Sequence, residues 1–157
     1  MPLRNFESRI QIEQKIMSEE MPQFKFFRNG KENHIAGWQT TSTGNRYKLK
    51  LLIPPHYPDQ VPHLYVHAPR TLKMHKNGSI NDLGSTHKFH TETNGPGGCV
   101  QICHFTSGTW DASHTTIGVM LMGILWLEAY SKHLQTGKSI ATIFQEQKNM
   151  SRERNTR

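Results

Sequence analysis

The sequence predicts an α+β fold, in which a helix precedes an antiparallel sheet and further helices follow it. Three patterns along the 157 residues lead to this prediction. Apolar residues recur at helical spacing near the start, apolar and polar residues alternate over residues 47–53, and an apolar run fills residues 117–127. Strand signals followed by helix signals are typical of α+β domains, where the two kinds of element are segregated along the chain.

The first predicted element is an amphipathic helix. Leu3, Phe6, Ile10 and Met17 lie at near-helical spacing among polar residues. Because proline has no amide hydrogen to continue a helix, we expect this one to end before Pro22.

Two strands joined by a tight turn are predicted next. Residues 24–27 form the first strand, and residues 34–41 form the second. The Asn29-Gly30 pair between them readily takes the backbone angles of a hairpin turn. Trp38 is expected to face the core.

A third and a fourth strand complete the predicted four-stranded meander. The third alternates through Tyr47, Leu49, Leu51 and Ile53, and the fourth is residues 64–66. Prolines cannot donate to a strand ladder, so an irregular crossing is predicted between these two strands. The prolines concerned are Pro54, Pro55, Pro58 and Pro62.

Residues 70–109 are rich in Gly, Ser, Thr, Asn and His and show little regular periodicity. A long irregular segment inside a compact domain is usually functional or disordered. This one contains Cys99 and Cys103 and lies between packed elements, so we interpret it as the functional segment.

A long helix is predicted after this segment. Its apolar run places hydrophobic residues on most faces, which predicts a largely buried helix. Ser113 or Thr115 is expected to cap its start, and Gly137 to end it.

A final helix is predicted after Ser139, which can cap it, with an inner face of Ile140, Ile143 and Phe144. The single domain is predicted to cover residues 1–147. Residues 148–157 are predicted to form a basic flexible tail.

The composition narrows the classes of function. The net charge is +7, from 19 Lys and Arg against 12 Asp and Glu, but the predicted tail supplies part of it. No aromatic residues alternate with the other basic ones as a base-stacking surface requires, so nucleic acid is not expected as a direct substrate. The expected alternatives are a basic surface that docks acidic protein partners and a basic surface that only keeps the protein soluble.

The same composition bears on location. The chain shows no charged-then-apolar leader, and its longest apolar run is well short of the ~20 residues that span a bilayer. Two cysteines do not make a disulfide framework. We therefore expect a cytoplasmic protein with no membrane association.

Cys103 is the candidate nucleophile. A thiolate forms thioesters that an amine can attack, and this chemistry needs an accessible sulfur and a donor for the developing oxyanion. A glycine-rich loop with polar neighbours suits such a sulfur better than a core position does. The alternative is that Cys103 packs as a small hydrophobe.

These residues resemble the ubiquitin-conjugating enzyme family over nearly the whole chain. The segment G-C-V-Q-I-C at residues 98–103 is similar to the segment before the family's reactive cysteine, and Trp110 follows at the family's spacing. The closing segments W-L-E-A-Y at 126–130 and T-G-K at 136–138 resemble the bacterial branch found beside CBASS anti-phage operons and related ubiquitin-like modification systems.

The resemblance implies a fold, an activity and partners. The fold would be a helix, a four-stranded antiparallel meander, a cysteine-bearing loop and C-terminal helices. Cys103 would carry a protein C-terminus as a thioester and pass it to a lysine amine, with no metal or organic cofactor. The carried protein would be a cyclic-nucleotide synthase (CD-NTase) or a ubiquitin-like protein, and an activating enzyme would supply it.

The family also suggests a surface for the upstream partner. That surface is the N-terminal helix and the first hairpin loop, near Arg4, Arg28 and Lys31.

One departure from the family concerns the oxyanion donor. Eukaryotic members place a His-Pro-Asn tripeptide before the cysteine, whereas this chain has His90-Thr91-Glu92. His90 matches the family histidine and is the first candidate donor, unless it only supports the loop. Asn94 is the second candidate.

Other interpretations stay open from sequence. His87, His90, Cys99, Cys103 and His104 offer zinc ligands, although no CxxC or HxxxH pair occurs among them. Cys99 could pair with Cys103 in redox chemistry or simply pack. A non-catalytic protein-binding module of the same fold is the main rival to the transferase.

Overall fold

A computed structural model describes residues 2–30, 32–105 and 108–155, with side chains of the first helix described from Phe6 onward. The chain is α+β, as predicted. Helix α1 (Pro2–Glu20) precedes an antiparallel sheet, and helices α2 (Thr116–Thr136) and α3 (Ile140–Asn155) follow it. None of the described helices combines the length and the apolar composition needed to cross a bilayer.

The first four strands form the predicted meander. They are β1 (Lys25–Arg28), β2 (Asn33–Thr40), β3 (Arg46–Ile53) and β4 (His63–Ala68), and each pairs antiparallel with the next. The connection between β1 and β2 contains Asn29 and Gly30, and Gly30 has the positive φ, 84°, that the predicted turn requires. In β3, Tyr47, Leu49, Leu51 and Ile53 are all buried, as their alternation predicted.

The sheet has six strands rather than the predicted four. Strands β5 (Thr91–Glu92) and β6 (Gln101–Ile102) extend it in the order β1-β2-β3-β4-β6-β5. Both come from the segment that the sequence presented as irregular. A two-residue strand is too short to show any periodicity. Strand β6 forms because the edge of β4 offers free backbone groups to pair with, and β5 pairs in turn with β6.

Trp38 does not face the core, and that prediction was wrong. Its side chain is 44% exposed, and the Arg46 guanidinium lies 5.0 Å from its ring centroid. Successive side chains of a strand point to opposite faces of the sheet. Ile35 is fully buried and faces the core, so residues 36 and 38 lie on the other face of β2.

Helix α2 packs closely over the sheet at Gly123. A Cβ atom at this position would lie 2.9 Å from Leu64 Cδ2 and 3.0 Å from Leu49 Cδ1. Its termini were correctly predicted, because the Thr115 side chain caps the start and Gly137 ends it with φ 79°. The prediction of a largely buried helix is too broad, since one side of it exposes large hydrophobic residues: Leu121, Met122 and Leu125.

Helix α3 begins after Ser139, whose hydroxyl accepts from the Thr142 amide at 3.2 Å. Ile140 and Ile143 are buried and Phe144 is partly buried, as predicted. The helix continues to Asn155, so residues 148–155 of the predicted tail are helical.

Candidate active site around Cys103

Cys103 is held by backbone pairing between two distant parts of the loop. Strand β6 ends at Ile102, which pairs with Thr91 of β5. One residue further along, the Cys103 amide donates to the His90 carbonyl at 2.9 Å. The two residues predicted to act together, 13 positions apart in sequence, are therefore neighbours in the structure.

The Cys103 side chain is partly buried and lines a pocket. Its sulfur lies 3.1 Å from the Phe105 carbonyl oxygen, within reach of an S–H hydrogen bond. Burial raises the pKa of the thiol, and the nearby Glu92 carboxylate acts in the same direction. The thiol is therefore mainly protonated near neutral pH, and it becomes a stronger nucleophile as the pH rises.

His90 sits at the end of a tight turn and has an unusual backbone conformation. Its amide donates to the His87 carbonyl at 3.3 Å, and its φ of 49° is the only positive φ of a non-glycine among the described residues. Its ring packs edge-on against Phe144 at 5.1 Å. Burial lowers the pKa of the imidazole, as do the charges of His87 and Lys148, so the ring is neutral near pH 7.

The aromatic residues after Cys103 fix the proline-rich crossing beside it. His104 Nε2 lies 2.8 Å from the Pro62 carbonyl, and Trp110 Nε1 donates to the Pro58 carbonyl at 2.8 Å. The two rings pack edge-on, 5.7 Å apart. The prolines and the tryptophan that mark this region in the sequence are therefore parts of one structural support for the thiol loop.

Cys99 and Asn94 do not belong to this site. Cys99 is 3% exposed and its sulfur lies 3.9 Å from the His67 carbonyl, so it packs in the core. The Asn94 amide donates to the Asn81 carbonyl at 2.9 Å and does not line the pocket. Asn81 in turn bonds three backbone groups of the loop, those of Arg70, Leu72 and Gly98.

Metal binding gains no geometric support. Within the described ranges, no three His, Cys, Asp or Glu side chains converge as ligands of one ion. His104 is committed to Pro62, and Cys99 is in the core.

The pocket at Cys103 has a volume of about 770 Å³, and one of its walls is helix α3. This wall was missed from sequence, because much of it lies in the segment assigned to a tail. A signal was present, since the residues concerned recur at three- and four-residue spacing on one helical face. They are Ala141, Phe144, Lys148 and Arg152.

The surface proposed for an upstream partner is only partly described. Arg28 forms an ion pair with Glu7 of α1, with one guanidinium nitrogen 2.9 Å from the carboxylate. The side chain of Arg4 and all of Lys31 lie outside the described residues.

No protein-family model, curated protein or solved structure matches this chain. The roles of the site residues therefore rest on their own geometry and chemistry.

Proposed function

We propose that this protein is a ubiquitin-conjugating-like transferase that carries a protein C-terminus on Cys103 and passes it to a lysine amine. The observation that carries the proposal is the contrast between two cysteines four residues apart. Cys99 is buried, whereas Cys103 is partly exposed at an open pocket, next to a histidine. A thiol in that position can meet a large acyl donor and then an amine.

In the charging step, the Cys103 sulfur attacks the thioester carbonyl of an upstream carrier. The Cys103 thiol first loses its proton to solvent. Its sulfur then forms a new S–C bond while the old S–C bond breaks, and the upstream thiolate leaves and takes up a proton from solvent. The raised pKa of Cys103 has two consequences. It limits the thiolate fraction at neutral pH, and it makes Cys103 a poorer leaving group, so its thioester is longer-lived.

In the discharge step, a neutral lysine amine attacks the thioester carbon. The tetrahedral intermediate then collapses with cleavage of the C–S bond to an amide and the Cys103 thiolate, and the proton lost by the nitrogen passes to solvent. Negative charge develops on the carbonyl oxygen meanwhile, and a hydrogen-bond donor beside it lowers the barrier. We assign this role to the His90 imidazole, which lines the same pocket as Cys103. Asn94 does not take this role, because its side-chain amide donates to the Asn81 carbonyl and it does not line the pocket.

The resemblance to the bacterial branch extends the proposal to a biological setting. The fold would then be the ubiquitin-conjugating one, enlarged by β5 and β6. The carried protein would be a CD-NTase, or a ubiquitin-like protein, delivered by an activating enzyme in CBASS anti-phage defence. The setting would be the cytoplasm, where thiols stay reduced.

A second candidate is a non-catalytic protein-binding module of the same fold. It is favoured by the exposed side chains of Leu121, Met122 and Leu125, which form an apolar edge on α2. Clustered apolar exposure of this kind is typical of protein interaction sites. A binding module would use this edge without ever acylating Cys103.

The experiment that separates the two uses a synthetic peptide thioester and intact-mass measurement. We expect one acyl group per chain, mapped to Cys103, released by reducing agent and transferred to free lysine. Cys103→Ala should abolish acylation, and Cys103→Ser should give a slower, more stable oxyester. The matched variant Cys99→Ala should retain most activity, because Cys99 does not line the pocket.

Acylation that persists in Cys103→Ala, or that disappears in Cys99→Ala while the protein stays folded, would show that the nucleophile is misassigned. Absence of any acylation in the wild type would leave the binding module as the function.

A further inference from the structure

The wall that α3 contributes to the Cys103 pocket is cationic. Lys148 and Arg152 line the pocket, and His87 and His90 line it from the loop. Among the described residues that line it, none is acidic. Neither Lys148 nor Arg152 forms an ion pair with a described side chain, so both charges remain available to a ligand.

The rest of the pocket lining is largely apolar. Met122 and Leu125 come from the exposed edge of α2, and Phe144 comes from α3. A ligand that matches the whole pocket therefore combines anionic groups with aliphatic ones. At about 770 Å³, the pocket has room for several residues of an extended peptide.

We infer that this pocket binds an acidic, extended peptide segment, and that this segment is the tail of the protein carried on Cys103. Acidic side chains of the tail would meet Lys148 and Arg152, and its aliphatic side chains would meet Met122 and Leu125. The identification of the tail rests on the proposed function, whereas the preference for an anionic peptide rests on the pocket alone.

Charge complementarity separates the tail from the other reactant. An acceptor lysine is an ammonium ion until it reacts, and Lys148 and Arg152 would repel it from this side of the thiol. The acceptor is therefore expected to approach Cys103 from elsewhere, and the pocket is left to the carried chain.

A nucleic acid is the less favoured anionic ligand. The pocket supplies two permanent cations, both from one face of α3, whereas binding a strand of phosphates calls for a track of cations along its length.

The experiment measures binding of fluorescent peptides to the full chain by anisotropy at low salt. The probe is acetyl-Glu-Leu-Glu-Leu-Gly-Gly, and its partner probe has glutamine in place of each glutamate. We expect the acidic peptide to bind about tenfold more tightly, with an affinity that falls as salt rises. Replacing both cations, Lys148→Gln with Arg152→Gln, should weaken it about five- to tenfold.

The control is the double variant Lys15→Gln with Lys25→Gln, which makes the same change in net charge at exposed positions that do not line the pocket. It should bind the acidic peptide as the wild type does. Thermal melting of both double variants checks that the fold is retained.

Equal affinity for the acidic and neutral peptides would overturn the inference, as would an equal loss in the control variant. If a dT10 oligonucleotide binds more tightly and displaces the peptide, the ligand of this pocket is a nucleic acid and not an acidic peptide. Acylation of Cys103 by thioesters of the two peptides separates this inference from the proposed function. If the two peptides bind equally and their thioesters acylate Cys103 equally, only this inference is refuted. If the acidic peptide binds more tightly but neither thioester acylates Cys103, only the proposed function is refuted.

Discussion

At the scale of single residues, the backbone of His90 constrains the site most. A positive φ is uncommon outside glycine and is better tolerated by Asn, Asp and His than by other residues. The bend at His90 lets its carbonyl meet the Cys103 amide while its ring lies against Phe144. The sequence therefore has few choices at this position that keep the thiol in place.

The first prediction at this scale concerns the rate of discharge. His90→Ala removes the imidazole, and loss of one oxyanion donor typically costs about 10²–10³-fold in rate. We expect aminolysis of the Cys103 thioester to slow by that order in single-turnover discharge to free lysine. His90→Asn, which tolerates the positive φ and carries an amide donor, should recover part of the rate.

The control for this prediction is Asn94→Ala. It should leave discharge nearly unchanged and cost stability instead, of the order of 1 kcal/mol, because it removes the hydrogen bond to the Asn81 carbonyl. If His90→Ala lowers the melting temperature and leaves discharge intact, His90 is a structural residue and the donor lies elsewhere.

At the scale of elements, a buried carboxylate joins α1 to the start of α2. Glu13 is 5% exposed, and its Oε1 accepts from the Thr116 amide at 2.6 Å. The Tyr57 hydroxyl donates to Glu13 Oε2 at 2.7 Å, and Arg9 Nε donates to the same oxygen at 2.9 Å. Burial and the bond to Glu13 raise the pKa of Tyr57. A negative group at a helix N-terminus is electrostatically favourable, so Glu13 supports α2 in addition to the Thr115 cap.

This network predicts a large effect of one substitution. Glu13→Ala leaves the Tyr57 hydroxyl, the Thr116 amide and Arg9 Nε without their acceptor, while the other two guanidinium nitrogens of Arg9 keep their bonds to the Ala112 and His114 carbonyls. We expect a loss of about 2–4 kcal/mol in the free energy of unfolding, measured by urea denaturation. Tyr57→Phe should lose less, about 1 kcal/mol, since one neutral donor is removed.

The matched control is Glu20→Ala, an exposed carboxylate of the same helix. Its effect should stay within about 0.5 kcal/mol. A similar loss in both variants would mean that the charge of α1, rather than the Glu13 network, stabilises the fold.

At the scale of the whole molecule, several histidines make stability depend on pH. The pKa of each of these histidines is lowered, and burial is the main cause in every case. They are His34, His67, His90 and His104. A lowered pKa means that the unfolded chain binds protons more readily than the folded one. The stability they contribute is present in full above about pH 6.5 and is lost as the pH falls from there through the folded pKa values.

His104 gives the sharpest test of this pH dependence. Its Nε2 bonds to Pro62, and its Nδ1 is buried without a hydrogen-bond partner in the described part of the chain. Protonation would place an N–H there with no acceptor. In His104→Gln, whose amide can still reach Pro62, we expect a smaller loss of unfolding free energy between pH 7.5 and pH 5.0 than in the wild type.

The corresponding control is His56→Gln, since His56 is exposed. It should keep the wild-type pH dependence. If His104→Gln has the same acid response as the wild type, the loss of stability comes from other groups.

The sequence by itself determined the elements whose causes are local. A proline follows the end of α1, and an Asn-Gly pair lies in the connection between β1 and β2. In β3, the alternation of apolar and polar residues determines which side chains are buried. Thr115 and Gly137 set the termini of α2 through their own hydrogen bond and backbone angle. Each of these effects acts within a few residues, so it can be read before the fold is known.

The sequence also singled out Cys103 and His90, but only the tertiary structure brings them together. Their contact depends on the pairing of β5 with β6, and β6 in turn depends on the edge of β4. Trp38 points away from the core because burial of Ile35 decides which side chains of β2 face inward. The cationic wall formed by Lys148 and Arg152 required α3 to pack beside the loop. These features come from contacts between residues far apart in the chain, which a local pattern does not encode.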